Sequence, residues 1–441
     1  MLSGGETVKK LNERGIEVSN ASDEAIGALN DYVREIISLG NGASAIVAAA
    51  DKMPDCPMLQ ACAASTFLYT QSLAEAAGAT PYIARAESRL DDATEHERIF
   101  IAAVRAGLAG DFEGALKGYE QIGERWPRDT LAAKLAEFHF FETGAAHRQL
   151  RLMSKAAQAN PELSHVLAMH AFALELNQRR AEAERVANAA LKIDPLTMWA
   201  QHCLAHVWSG DSRVDEGIAA MRRFAPTWKQ FSHYTVAHNS FHLAALLLDN
   251  RDFNSVRALY RENVWGFEPD AVVELTDAIL LLWYTELAGG RLDGEWHEIA
   301  PHAGKRASEH VFPFLNAIFL YALARAGERA TVAEEIARLK DHAEAQSGGQ
   351  KKVWKEIGVP LAEGSVAFAY GEYDRAAAAL APILPEVAAA GGSDEQRCVF
   401  IQSHLVSLVK GRNRKRAQSA IEDYIAERPV TPLERYWLAE I

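Results

Sequence analysis

Three short stretches of this 441-residue chain carry side chains that can move protons or hold a ligand. The first has His202 and His206, the second His238, Asn239 and His242, and the third Asp277. Histidines four apart on a helix stand one above the other on one face, so each pair makes a polar stripe. Trp199 extends the first stripe and Tyr234 the second. An imidazole beside a carboxylate is the usual apparatus for general base chemistry, with the acid fixing which ring nitrogen carries the proton. His238, His242 and Asp277 are therefore the candidate catalytic residues, and His202, His206, Asn239, Tyr234 and Trp199 the candidate ligand contacts.

Four imidazoles also suit a borderline metal. Neither pair, however, carries the Glu of an H-E-x-x-H arrangement, and no cysteine or carboxylate beside them in the sequence completes a familiar ligand set. No metal and no cofactor is assigned on this reading. The plain alternative for each histidine is a hydrogen-bonded core residue packed between helices. Asp277 stands in VVELTDAILLLWYTEL, where a carboxylate has to be paired, face a cavity or be protonated. Glu274, one turn earlier, offers the same group. Further on, GGSDEQR (391–397) reads as a turn and a capping box, Ser393 with Gln396, that opens a helix. The cap does not need Arg397, which is left as a candidate contact for an anionic group.

These residues need helices to position them, and the chain is helical by period in pieces of about 12 to 20 residues. Ser22 followed by Asp23 and Glu24 marks the first helix start, with residues 1–20 as a loosely docked arm. Prolines at 127, 161 and 195 recur every 34 residues, the period of the tetratricopeptide repeat. GDFEGALKGYE (110–120) places Phe112, Ala115, Leu116 and Tyr119 as the second helix of such a unit needs, and RDFNSVRALY and GEYDRAAAAL open similar helices later. First helices are expected near 94–109, 129–142, 162–176, 196–209, 229–249, 269–289, 307–327, 350–371 and 393–410. The fold expected is all-α: a tetratricopeptide-repeat-like α-solenoid of stacked antiparallel hairpins forming a curved superhelix. It is read as one domain over 1–441, most regular over 94–226, with degenerate hairpins and a cap over 227–441. A repeat of this kind puts all first helices on one wall, which would bring the histidine stripes together.

Composition narrows the partners. A net charge of -13 argues against nucleic acid and anionic membrane over most of the surface. The longest apolar runs, 241–248 and 278–284, fall short of the roughly 18 residues a span needs. No basic, apolar leader opens the chain, and four scattered cysteines fit a reducing compartment, so a cytoplasmic protein is expected. Arg412, Arg414, Lys415 and Arg416 make a short basic patch of the kind usually solvated.

The pieces HCLAHV (202–207), HNSFHLAALL (238–247), the Asp277 helix ending at Gly289, GEW (294–296) and GGSDEQR resemble the tetratricopeptide repeat protein 38 family. The likeness runs nearly end to end. In the family the second piece is His-Asn-aromatic-aromatic-His, and Ser240 replaces one aromatic here. The family pattern also has polar residues near Phe100, Glu137, Phe138, Asn316 and Ile318, and an acid where this chain has Cys398. The resemblance implies the repeat fold and carries no activity with it.

Two functions are compatible with these residues. One is a repeat-built interaction protein holding a peptide or protein partner in its concave groove, the usual use of such arrays. The other is a hydrolase or lyase acting on a small polar or anionic molecule, with His238 or His242 as general base and Arg397 or Asn239 holding the substrate. An open groove would favour the first and a closed, convergent cluster the second.

Overall fold

The computed structural model describes residues 9–291, 294–411, 414–426 and 428–441. Of the basic patch, Arg412 and the Arg414 side chain lie outside that set. The described residues are all-α apart from one short hairpin, Lys9–Leu11 with Glu17–Ser19. The backbone divides into two compact units: residues 1–141 with 146–200, and 142–145 with 201–441.

Residues 1–8 of the expected arm lie outside the described residues, and from residue 9 the arm is more structured than its polar sequence suggests. The hairpin buries Ile16 and Val18, and Ser19 is tied to the Glu97 carboxylate through its N–H at 3.0 Å and its hydroxyl at 2.7 Å. Glu97 also closes the capping box at Thr94 that starts the Glu95–Leu108 helix. Ser22 caps Asp23–Ser38 by accepting from the Ala25 N–H. Phe112, Ala115, Leu116 and Tyr119 form the buried side of Phe112–Arg125, as their spacing requires. Successive hairpins pack on one another from there to Arg180–Ile193. Side chains reach back about one period to join them: Asn160 Nδ2 donates to the Pro127 carbonyl at 3.1 Å, and Asn177 Nδ2 to that of Ala146 at 2.8 Å.

The period is also written in the backbone. Between first and second helices the chain turns through a left-handed residue at Gly110, Gly144, Gln178 and Ser212, each 34 residues after the last. The next ones, Arg251, Gly289 and Gly327, come at intervals of 39, 38 and 38. In the first two of these intervals much of the added length goes into the first helix, 17 residues in His233–Asp249 and 16 in Val272–Leu287 against 13 in Met198–Gly210, whereas Pro313–Arg325 in the third is again 13.

In the second unit the first helices are enclosed on nearly every face. Every residue of Val272–Leu287 is buried except Val273 and Glu286, and every residue of Pro313–Arg325 except the last. A helix that is apolar all round belongs between layers, and second helices such as Val214–Trp228 supply the amphipathic cover. Polar anchors fix the rotation: Trp228 Nε1 donates to Gln201 at 2.9 Å, while Glu286 accepts from Trp296 and Tyr321, both at 2.8 Å, and from Arg325 at 2.7 Å. The second unit ends with Asp394–Lys410, Arg414–Ile425 and Pro432–Ala439.

Candidate functional site

The second unit brings His202, His206, His238, His242 and Asp277 into one cluster on three first helices, Met198–Gly210, His233–Asp249 and Val272–Leu287. The i, i+4 spacing does what it promised. The ring centroids of His202 and His206 are 4.7 Å apart, and those of His238 and His242 are also 4.7 Å apart. Across the helix pair, His202 lies 4.9 Å from His238 and 4.6 Å from His242.

Orientation within the cluster is set by carboxylates. His238 Nδ1 donates to both oxygens of Asp277, at 3.1 and 2.9 Å, so in the neutral ring the Nε2 carries the lone pair. That Nε2 lies 3.2 Å from His202 Nε2 and 3.3 Å from His242 Nε2. On the far side of its ring, His242 Nδ1 is 3.5 Å from Glu395 Oε2. His206 Nδ1 faces the same oxygen at 3.7 Å and Asp394 Oδ1 at 3.3 Å. The carboxylates that the neighbouring sequence does not offer are supplied in space: Asp277, Asp394 and Glu395 are far away in sequence but adjacent in the fold.

Asp394 and Glu395 lie inside GGSDEQR, a stretch noticed for its cap and its arginine. The cap is present, with Ser393 Oγ accepting from the Gln396 N–H at 3.2 Å and Gln396 Oε1 from that of Ser393 at 3.1 Å. Gly391 and Gly392 hold φ of +86° and +84°, and a Cβ on Gly391 would come within 2.6 Å of the Glu142 carbonyl oxygen. A backbone that only glycine fits thus aims the two acids at the imidazoles. Tyr284 of the Asp277 helix pins the arrangement by donating to the Glu395 carbonyl. The missed signal was two acids placed directly behind a helix cap.

The electrostatics derive from burial. His202, His206 and His242 are 2, 2 and 1% exposed, Asp277 is fully buried, and His238 at 9% is the most open of the imidazoles. Burial, with His206 and His238 nearby, holds His242 well below the ordinary imidazole range, so it is a neutral ring. Burial pushes Glu395 up to about 7, with Asp394 adding to the effect and His206 opposing it. Burial would raise Asp394 too, but the proximity and charge of His206, and then Arg397, hold it below the usual carboxylate range.

The other candidates separate. Tyr234 stacks on His238 with centroids 5.6 Å apart, at the edge of the cluster. Asn239 is 2% exposed, and its Nδ2 has no hydrogen-bond partner among the described residues, which marks it as available to a ligand. Trp199 belongs to the first unit, where its Nε1 donates to Glu137 at 2.9 Å and Lys134 sits over its ring. Arg397 turns back on its own loop, donating to the Gly392 carbonyl. Glu274 is structural: it accepts from the backbone N–H groups of Gly266, Phe267 and Glu268 at 2.8, 3.0 and 2.7 Å.

No helix among the described residues is long and apolar enough to cross a membrane. No model of a known protein family matches the chain.

Proposed function

We propose that the protein is a cytoplasmic hydrolase of small polar or anionic molecules, built in a tetratricopeptide-like repeat array, with its reaction centre where the Nε2 atoms of His202, His238 and His242 meet. The observation that carries this reading is the orientation of His238: Asp277 takes its Nδ1 proton and turns its Nε2 lone pair toward the point the other two nitrogens share. A water held there is placed for deprotonation. In the bare site His238 accepts its proton, the oxygen attacks a carbonyl or phosphoryl centre, and the proton passes to the leaving group. Asp277 stabilises the imidazolium in between. Asn239 supplies a donor for the polar end of the substrate.

The low exposure of the cluster suits a small molecule entering on the His238 side better than an extended peptide. The stretches that carry the resemblance to the tetratricopeptide repeat protein 38 family, HCLAHV, HNSFHLAALL, the Asp277 helix and GGSDEQR, are also the ones that build the cluster.

The test is a substrate screen of the full-length protein against carboxylic esters, amides and phosphate esters, repeated with His238→Ala. Turnover that falls by about 10²-fold or more in a variant with wild-type thermal stability is the expected outcome. No hydrolysis across all three panels, or turnover unchanged by His238→Ala, would overturn the proposal.

A further inference from the structure

Three nitrogen atoms meeting at 3.2 and 3.3 Å present a chemical problem. With its proton on Nδ1, His238 offers one in-plane lone pair at Nε2, and a lone pair takes one linear hydrogen bond well. Two other ring nitrogens crowd it. All three rings are buried or nearly so, and no protonation pattern gives all three Nε2 atoms a good partner among themselves.

A cation at their centre resolves this. Nitrogens bound to zinc at about 2.0–2.1 Å in tetrahedral array lie roughly 3.3–3.4 Å from one another. The two separations above match that geometry, and one ligand atom from each of His202, His238 and His242 falls within a common 4.8 Å. The outer nitrogens agree. Metal-bound histidines nearly always give their second ring nitrogen to a carboxylate or carbonyl. Here His238 Nδ1 gives to Asp277 at 2.9 Å, and His242 Nδ1 faces Glu395 at 3.5 Å.

We propose that His202, His238 and His242 hold one divalent zinc-class ion through their Nε2 atoms, with Asp277 and Glu395 orienting two of the rings. Three neutral imidazoles leave the ion its full charge and a fourth position open on the His238 side, the pattern of a catalytic rather than a structural centre. This deepens the hydrolase reading and rests on it only for the reaction. The ion would take over activation of the water by lowering its pKa, and His238 would be its ligand.

A second grouping, His206, His242 and Glu395, shares His242. There the approaches to Glu395 run through Nδ1 of both rings, at 3.7 and 3.5 Å, longer than the roughly 3.3–3.4 Å between ligand atoms of a tetrahedral zinc. The geometry therefore favours the first set.

The experiment uses the full-length protein, stripped with a chelator and shown by circular dichroism to remain folded, then titrated with Zn²⁺ by calorimetry and with Co²⁺ by visible absorption. One equivalent of Zn²⁺ and an intense four-coordinate cobalt spectrum are expected. His238→Ala and His242→Ala should abolish both signals, and His202→Gln guards against a cavity that prevents folding. Asp277→Asn should weaken zinc by about 10–100-fold. His206→Ala and the distant His404→Ala should retain the spectrum. A folded, stripped protein that takes up no stoichiometric metal, or zinc binding that survives in His202→Gln but is lost in His206→Ala, would overturn the proposal. Metal-free protein that still hydrolyses substrate through His238 would defeat the metal site and leave the hydrolase reading standing. Tight zinc binding without turnover on any panel would do the reverse.

Discussion

The Asp277 carboxylate grips a single atom, Nδ1 of His238, with both of its oxygens, at 2.9 and 3.1 Å, from within a mostly apolar helix. A buried charge in that setting is tolerable only because it is paired. Replacing it with the isosteric Asn keeps the shape but offers an N–H where a proton acceptor is needed, which drives the His238 proton to Nε2. Asp277→Asn is expected to lose about 10²–10⁴-fold in kcat, with KM changed far less, because the tautomer rather than the pocket is altered. Steady-state kinetics on the best substrate from the screen checks this.

Stability should separate the two kinds of acid in the second unit. Glu286 joins three elements through Trp296, Tyr321 and Arg325, and its removal leaves an indole, a phenol and a guanidinium without their acceptor. Glu286→Ala is expected to cost about 3 kcal/mol in urea unfolding, with Glu286→Gln costing less. Glu395→Gln, which removes a carboxylate held close to its protonation point, should leave the melting temperature near wild type while changing the pH profile of turnover.

Gly391 makes a sharper test of how the acids are aimed. Its φ of +86° is paired with a ψ of -176°, a combination essentially confined to glycine, and an added methyl would strike the Glu142 carbonyl. Gly391→Ala is expected to destabilise by about 1–3 kcal/mol and to lower turnover beyond what the lost stability explains. Gly392→Ala, whose Cβ would come nearest to the Phe314 ring, at 3.1 Å, rather than to backbone, should be milder on both counts. Parallel chemical denaturation and activity assays distinguish them.

Acid should unfold the protein early. Burial, then the neighbouring His342, lowers His310 to about 4, although a hydrogen bond with Asn316 at 2.9 Å pulls the other way and Arg338 adds to the lowering. Trp354 packs edge-on against the rings of both histidines. Burial lowers His342, His404, His165 and His170 as well. A base whose folded pKa is depressed contributes stability above its unfolded value, near 6.5, and that stability is lost as pH falls toward the folded value. The melting temperature is therefore expected to drop between pH 6.5 and 4. His310→Asn should flatten the slope, since Asn tolerates the left-handed φ of +48° found there. Thermal melts across that range provide the measurement.

Much of this arrangement was visible in the chain alone. Helix type and order came from periodicity, and the i, i+4 histidines with Asp277 named most of the cluster, because spacing within a helix fixes which face a side chain takes. Asp394 and Glu395 were not found as site residues. They reach His206 and His242 through the glycine turn at 391 and 392 and the packing of a helix some 150 residues downstream, and no local pattern encodes that approach. Trp199 and Arg397 were named on face and charge alone. Their partners, Glu137 and the Gly392 carbonyl, draw one to the first unit and the other back to its own loop. The N-terminal hairpin was missed for a related reason. Its strands are three residues each, and Ser19, which ends the second, is held by Glu97 from 78 residues further along the chain.

His233–Asp249 is four residues longer than Met198–Gly210 (17 against 13) and Val272–Leu287 three (16 against 13), each close to one α-helical turn. At about 100° per residue, three or four extra residues leave later side chains within roughly 60° of their former bearing, whereas two or five would swing the stripe of His238 and His242 by roughly 140–160°. Growth by whole turns thus lets a stacked architecture acquire a chemical centre without re-registering the hairpins beyond it, and it identifies the increments by which such a scaffold can be lengthened around a new one.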